Sequence, residues 1–101
     1  MNETAIQKSI LAALHAAGRQ AWRLNAAGGN WRMRSNPGFA DILTLGPGGR
    51  ATFIEVKTSD GELRPAQAAF QTSVERAGGV YLVARSVDDV LALLRSWGRV
   101  A

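Results

Sequence analysis

The sequence predicts an α/β domain, a mixed β-sheet flanked by helices, with its elements in the order α-β-β-β-α-β-α. Three observations carry that prediction. Two apolar runs, Phe39–Leu45 and Ala51–Lys57, flank Gly46-Pro47-Gly48-Gly49-Arg50, which has the composition of a hairpin turn. Both runs are apolar on both faces, as in central strands covered by helices. A helix-period segment then precedes a third apolar run, Val80–Ala84. A hairpin followed by a helical crossover makes the sheet mixed and places helices on its faces.

The elements follow in order. From Glu3 to Ala17, Ile6, Ile10, Leu11 and Leu14 form a helical stripe, with Asn2 as N-cap and Gly18 as stop. Glu3 falls on that stripe, seven residues and nearly two turns before Ile10. A carboxylate in the first turn also suits the helix dipole. Gln20–Asn25 alternates Trp22 and Leu24 against Ala21, Arg23 and Asn25, a strand with one apolar face. Ala26–Gly38, rich in glycine and asparagine, reads as a loop. After the hairpin, Thr58–Leu63 is a polar connection, and Pro65 opens a helix to Ala77 with Gln67, Phe70 and Val74 on one face. Gly78-Gly79 ends it before the strand Val80–Ala84. Ser86, with Asp88 and Asp89 behind it, starts a last helix that reaches Trp97 and stops at Gly98.

Composition narrows the class. At 101 residues the chain is expected to form one domain around a single core. It has no cysteine, which excludes disulfides, thiolate chemistry and cysteine-ligated zinc. No apolar run approaches the ~20 residues of a membrane span. Glu3 and Lys8 break any signal-peptide pattern, so a cytoplasmic location is expected, with no membrane partner. A net charge of +4, carried mostly by arginine, suits phosphate recognition.

The chemistry concentrates in the hairpin. Glu55 and Lys57 are two residues apart in a strand and therefore share a face. Pairing symmetric about Gly48 sets Leu45 opposite Ala51, Leu43 opposite Phe53 and Asp41 opposite Glu55. Opposed side chains lie ~5 Å apart, and two carboxylates at that distance ask for a cation. Hard oxygen ligands on a rigid sheet suit Mg²⁺, which keeps waters for a phosphate substrate. Lys57 would orient a water or neutralise charge on the phosphate. The combination describes metal-assisted phosphodiester hydrolysis. A structural ion pair of Lys57 with one carboxylate would leave the other carboxylate over.

Arginines gather just before the hairpin. Arg23 and Asn25 share the strand face away from Trp22 and Leu24, and both would hold backbone phosphates flanking the scissile bond if that face borders the metal site. The loop adds Arg32, Arg34 and Trp31, the last able to stack on an unpaired base. His15 is given no role, and Arg64, Arg76, Arg85, Arg95 and Arg99 read as solvated.

The ordered set Gly38-Phe39-Ala40-Asp41, Phe53-Ile54-Glu55-Val56-Lys57 and Leu63-Arg64-Pro65-Ala66-Gln67 resembles the PD-(D/E)XK nuclease superfamily, and more narrowly the virus-type replication-repair nuclease domain, VRR-NUC. Trp22-Arg23-Leu24-Asn25, Ala77-Gly78-Gly79 and the Val80–Ser86 strand exit extend the resemblance over nearly the whole chain, as in a stand-alone nuclease domain. It implies a restriction-endonuclease-like core and a Mg²⁺- or Mn²⁺-dependent deoxyribonuclease with no organic cofactor. Asp41 and Glu55 would be metal ligands with the Val56 carbonyl, Glu3 would complete the site through water, and Lys57 and Gln67 would be catalytic. A homodimer acting on branched DNA such as four-way junctions, in phage or bacterial DNA replication or repair, is also implied. Trp97 and the last helix, expected to be exposed, are the sequence's candidates for its interface. Ala40 departs from the proline common at its position. The alternatives are a non-cleaving nucleic-acid-binding module of the same fold, and a domain whose charged trio is an internal salt-bridge network. The first is disfavoured because Glu3, Asp41, Glu55, Lys57 and Gln67 are all present.

Overall fold

A computed structural model describes residues 2–24 and 38–98. Helix α1 (Glu3–Ala16) starts where the Asn2 carboxamide oxygen accepts the Ala5 N–H at 2.8 Å, satisfying one of the free donors of the first turn. Strand β1 (Ala21–Arg23) leads to β2 (Ile42–Leu45), which turns through a single 3₁₀ turn (Pro47–Gly49) into β3 (Ala51–Val56). Gly48 and Gly49 hold φ of 73° and 79° there, a region that L side chains resist. Helix α2 (Pro65–Arg76) crosses to β4 (Val80–Ala84), and α3 (Val87–Ser96) closes the described chain.

The sheet order is β1-β2-β3-β4, with β1, β2 and β3 antiparallel and β4 parallel to β3. The α/β reading, the element order and the mixed sheet therefore hold. The hairpin register is the symmetric one: Ile42 pairs with Ile54, Leu43 with Phe53, Thr44 with Thr52 and Leu45 with Ala51.

Alternation sorts the strands into two faces. Ile42, Ile54, Val56 and Ala84 pack with Ile6, Ile10 and Leu14 of α1 and Val90 of α3. The opposite face carries Phe53, Tyr81 and Val83 beneath Phe70 and Val74 of α2. The Phe70 ring meets Phe53 edge-on at 5.0 Å and Phe39 at 5.3 Å, the offset geometry that aromatic quadrupoles favour. Gly38 lies so close to the first turn of α2 that a Cβ there would collide with the Ala66 carbonyl oxygen.

Ser86 is the N-cap residue of α3, as expected, though without a side-chain hydrogen bond there; Asp89 Oδ2 accepts the Arg85 N–H at 2.8 Å. Two expectations are corrected. Trp22 faces the α2 side but stays 45% exposed, because β1 is an edge strand and α2 lies over β4. Trp97 is half-buried and engaged within the chain, with the Arg19 guanidinium 4.9 Å from its ring and its ring against Gly46. No helix among the described residues is long and apolar enough to cross a membrane.

Candidate active site

The last residues of β3 bring Glu55 to the α2 face, and Lys57 follows on the same side. Asp41 arrives from the start of β2, but not by the ladder that the hairpin symmetry predicts. The Asp41 N–H bonds the Ile54 carbonyl at 3.2 Å, although Ile54 is the partner of Ile42. Asp41 and Ile42 thus both stand opposite Ile54, the extra residue of a β-bulge, so Asp41 and Glu55 are not ladder partners although their carboxyl groups still meet. The bulge re-aims the side chain: Asp41 Oδ2 accepts the Val56 N–H at 2.7 Å. A carboxylate takes the position on Val56 that a strand carbonyl would otherwise fill. On its other side the Asp41 carbonyl accepts the Leu24 N–H at 2.7 Å, which ties the bulge to the end of β1.

Asp41, Glu55, Lys57 and Gln67 are all buried, at 4–8% exposure. That concentration of polar groups is costly unless each is engaged. Gln67 lies in the first turn of α2 and serves two neighbours. Its Nε2 donates to Glu55 Oε2 at 3.1 Å, and its Oε1 accepts the Arg64 N–H at 2.8 Å. The Lys57 ammonium stands 3.8 Å from the same Glu55 oxygen. No N–H or hydroxyl donor reaches the buried Glu55 Oε1. Burial first, then repulsion from Asp41, push the Glu55 carboxyl up to about 8; Lys57 opposes this, while a side-chain hydrogen bond with Asp41 and, slightly, Glu3 add to it.

The remaining candidates are placed less simply. Glu3 is exposed: the α1 stripe is buried only from Ile6 onward, which leaves the preceding turn beyond the core's edge. Its charge reaches Glu55 nonetheless. Arg23 pairs with Ile42 and so projects on the α1 face, opposite to Glu55 and Lys57, where its Nε donates to Gln7 Oε1 at 3.1 Å. Asn25, Trp31, Arg32 and Arg34 lie outside the described residues.

Two residues were missed. Gln7 is buried on α1, and its spacing shows it in retrospect, one turn after Glu3 and seven residues before Leu14. Tyr81, on β4, has a buried hydroxyl with no hydrogen-bond partner. Burial and the nearby Glu55 and Asp41 charges push its pKa well above the usual value, so it keeps its proton. No sequence signal marked it apart from an apolar strand residue.

Among the described residues no three His, Cys, Asp or Glu side chains gather as a metal-ion cluster. The donors available are two carboxylates and backbone oxygen. A cavity of about 630 Å³ lies elsewhere, between the hairpin turn and α2, lined by Pro47, Arg50, Phe53, Phe70 and Ser73 among others. None of Asp41, Glu55, Lys57 or Gln67 lines it.

No family model and no curated protein matches the chain. Solved structures do. One described as a VRR_NUC domain superposes with a TM-score of 0.71 at 24% identity, covering 92% of this chain and 94% of its own. Another, described as a VRR_NUC domain protein, reaches 0.71 at 19% identity, covering 96% and 88%. The chain has the VRR-NUC fold. At these identities the likeness is one of architecture, and it meets the expectation of a mixed sheet flanked by helices. Within the VRR-NUC fold of this chain, Asp41, Glu55, Lys57 and Gln67 are the buried polar residues joined around one point of the sheet.

Proposed function

We propose that the chain is a Mg²⁺- or Mn²⁺-dependent deoxyribonuclease that hydrolyses phosphodiester bonds at the Asp41–Glu55–Lys57 site. The observation that carries this reading is two buried carboxyl groups, Asp41 and Glu55, so close that Asp41 helps raise the Glu55 carboxyl to about 8. Two carboxylates crowded in that way ionise together readily only when a cation joins them. The donor set fits a hard divalent ion, which binds through one or two carboxylates and retains water. Asp41 and Glu55 would hold it with the Val56 carbonyl. That carbonyl opens on the side of its own N–H, the side on which Asp41 lies. When bound, such an ion polarises phosphoryl oxygen and acidifies water.

The protein's own groups do the rest. Asp41 is held by the Val56 amide, so its carboxylate is oriented before substrate arrives. Gln67 fixes one oxygen of Glu55, whose carboxyl group meets that of Asp41. Lys57 brings a cation to the same point, where it can orient the attacking water or offset charge on the phosphate. An internal salt-bridge network sets one cation, Lys57, against two carboxyl groups, and so leaves a negative charge over when both ionise.

The substrate follows from this chemistry and from the basic balance of the chain: DNA, with branched forms such as four-way junctions the first to test. A homodimer would present two sites related by a two-fold axis and cut two strands symmetrically. Phage or bacterial DNA replication and repair is the matching context. The deciding experiment is a cleavage panel of single strand, duplex, flap and four-way junction with Mg²⁺ or Mn²⁺, with EDTA and with Lys57→Ala. Cuts that need metal and Lys57 support the reading. DNA binding without cleavage in either metal overturns it in favour of a non-cleaving module.

A further inference from the structure

Arg85 stands where β4 ends, next to the residue that anchors the backbone of Lys57: the Lys57 N–H bonds the Ala84 carbonyl at 3.0 Å. Arg85 is exposed, and its guanidinium lies over the turn that follows Lys57. Nη1 donates to the Thr58 carbonyl at 2.7 Å and the Gly61 carbonyl at 2.6 Å, with a weaker contact to Ser59 at 3.4 Å. The Arg85 backbone is fixed in turn by Asp89, at 2.8 Å. Residues 58–64 form neither helix nor strand, yet they join Lys57 to the helix that carries Gln67. The turn gathered by Arg85 also lies beside Lys57. A Cβ on Gly61 would meet the Lys57 Cδ at 3.4 Å and its Cβ at 3.5 Å, so Gly61 lies along the lysine stem with little room between them.

We infer that Arg85 is a positioning residue for Lys57, acting through the Thr58–Gly61 turn. This rests on the nuclease reading above. A lysine stem has four rotatable carbons, and the ammonium serves a single point only when the stem is held. Gly61 supplies the surface that holds it, and Arg85 supplies the bonds that keep Gly61 there. Three carbonyl oxygens converging on one spot present partial negative charge from different directions. A guanidinium, charged and rich in N–H donors, meets that arrangement better than an ammonium.

The test uses the full chain with Arg85→Gln and Arg85→Lys, and Arg76→Gln as an exposed-arginine control. With wild type cleaving, kcat of Arg85→Gln is expected to fall about tenfold to a hundredfold, the scale for a displaced catalytic group, with KM unchanged. Arg85→Lys, which keeps the charge, is expected to fall in between and serves as the test should Arg85→Gln not fold. In a Lys57→Ala background Arg85→Gln is expected to cost nothing more. A raised KM with unchanged kcat would instead make Arg85 a phosphate contact and overturn the inference, as would unchanged kinetics. A second measurement is independent of cleavage. The chain has two lysines, Lys8 and Lys57, so protein labelled with ¹³C-lysine gives two Cε signals. The Lys57 signal is expected to move toward that of solvated Lys8 in Arg85→Gln. If wild type cleaves nothing, the nuclease reading fails by itself. A Lys57 signal that does not move then overturns the positioning claim separately, and one that moves keeps it.

Discussion

Asp41 Oδ2 accepts the backbone N–H of Val56 at 2.7 Å, so a single carboxylate both completes the sheet and forms half of the candidate site. The two roles separate by substitution. Asparagine keeps an acceptor for Val56 and removes the charge; alanine removes both. Asp41→Ala is expected to cost ~1–3 kcal/mol, the range for a buried donor left unpaired, whereas Asp41→Asn retains most of that stability. Both are expected to abolish cleavage. Urea denaturation beside a cleavage assay checks this, and equal stability losses in the two variants would deny the Val56 bond its role.

Glu55 makes the metal-free protein sensitive to alkali. Its carboxyl is raised from 4.5 to about 8 in the fold, so the folded state holds a proton that the unfolded chain releases. The stabilisation is therefore complete below about 4.5 and is lost as pH rises through about 8. Each tenfold difference in proton affinity between the two states is worth ~1.4 kcal/mol, less where solvent screens the group. The loss from pH 5 to pH 9 is accordingly expected to be on the order of 1–3 kcal/mol. Thermal melts in EDTA measure it, and Glu55→Gln is expected to flatten the slope. Added Mg²⁺ is expected to restore stability above pH 8, where it meets the ionised carboxylate.

The parts of this site differ in how far the sequence discloses them. Glu55 and Lys57 were legible because a strand's period of two is rigid, and the Gly46–Arg50 turn set the hairpin register. The bulge at Asp41 was not, since the apolar run Phe39–Leu45 continues through it and an extra residue leaves no mark in composition. Helical spacing put Glu3 on the buried stripe, but periodicity gives direction around a helix and not where the core ends. Gln7 obeys the same spacing and is buried. Arg85 had no local signal at all, because its partners are carbonyls of a turn more than twenty residues away.

Gly38 sets the distance between the approach to Asp41 and the helix that carries Gln67. Any side chain there would strike the Ala66 carbonyl, which is backbone and cannot rotate aside. Gly38→Ala is expected to destabilise the fold by ~1–3 kcal/mol, the usual range for overpacking. It is also expected to weaken metal-dependent stabilisation, because moving α2 draws Gln67 off Glu55. Denaturation with and without Mg²⁺ checks both, and a variant as stable as wild type would show that this contact relaxes freely.

Gln67 is the residue whose two ends are most clearly assigned, and a carboxylate at its position tests both. Gln67→Glu keeps an oxygen for the Arg64 N–H and so preserves the start of α2. It replaces the amide donor to Glu55 Oε2 with a second negative charge, which must raise the Glu55 carboxyl further. The alkaline loss of stability in EDTA is then expected to move to higher pH than in wild type. Cleavage is expected to need a higher pH as well, since Glu55 ionises later. Gln67→Ala removes donor and acceptor together and is expected to cost ~1–2 kcal/mol, without the move toward higher pH that an added carboxylate causes. Paired pH–stability and pH–rate profiles distinguish the two. A Gln67→Glu profile that superposes on wild type would mean that Gln67 does not govern the charge of Glu55.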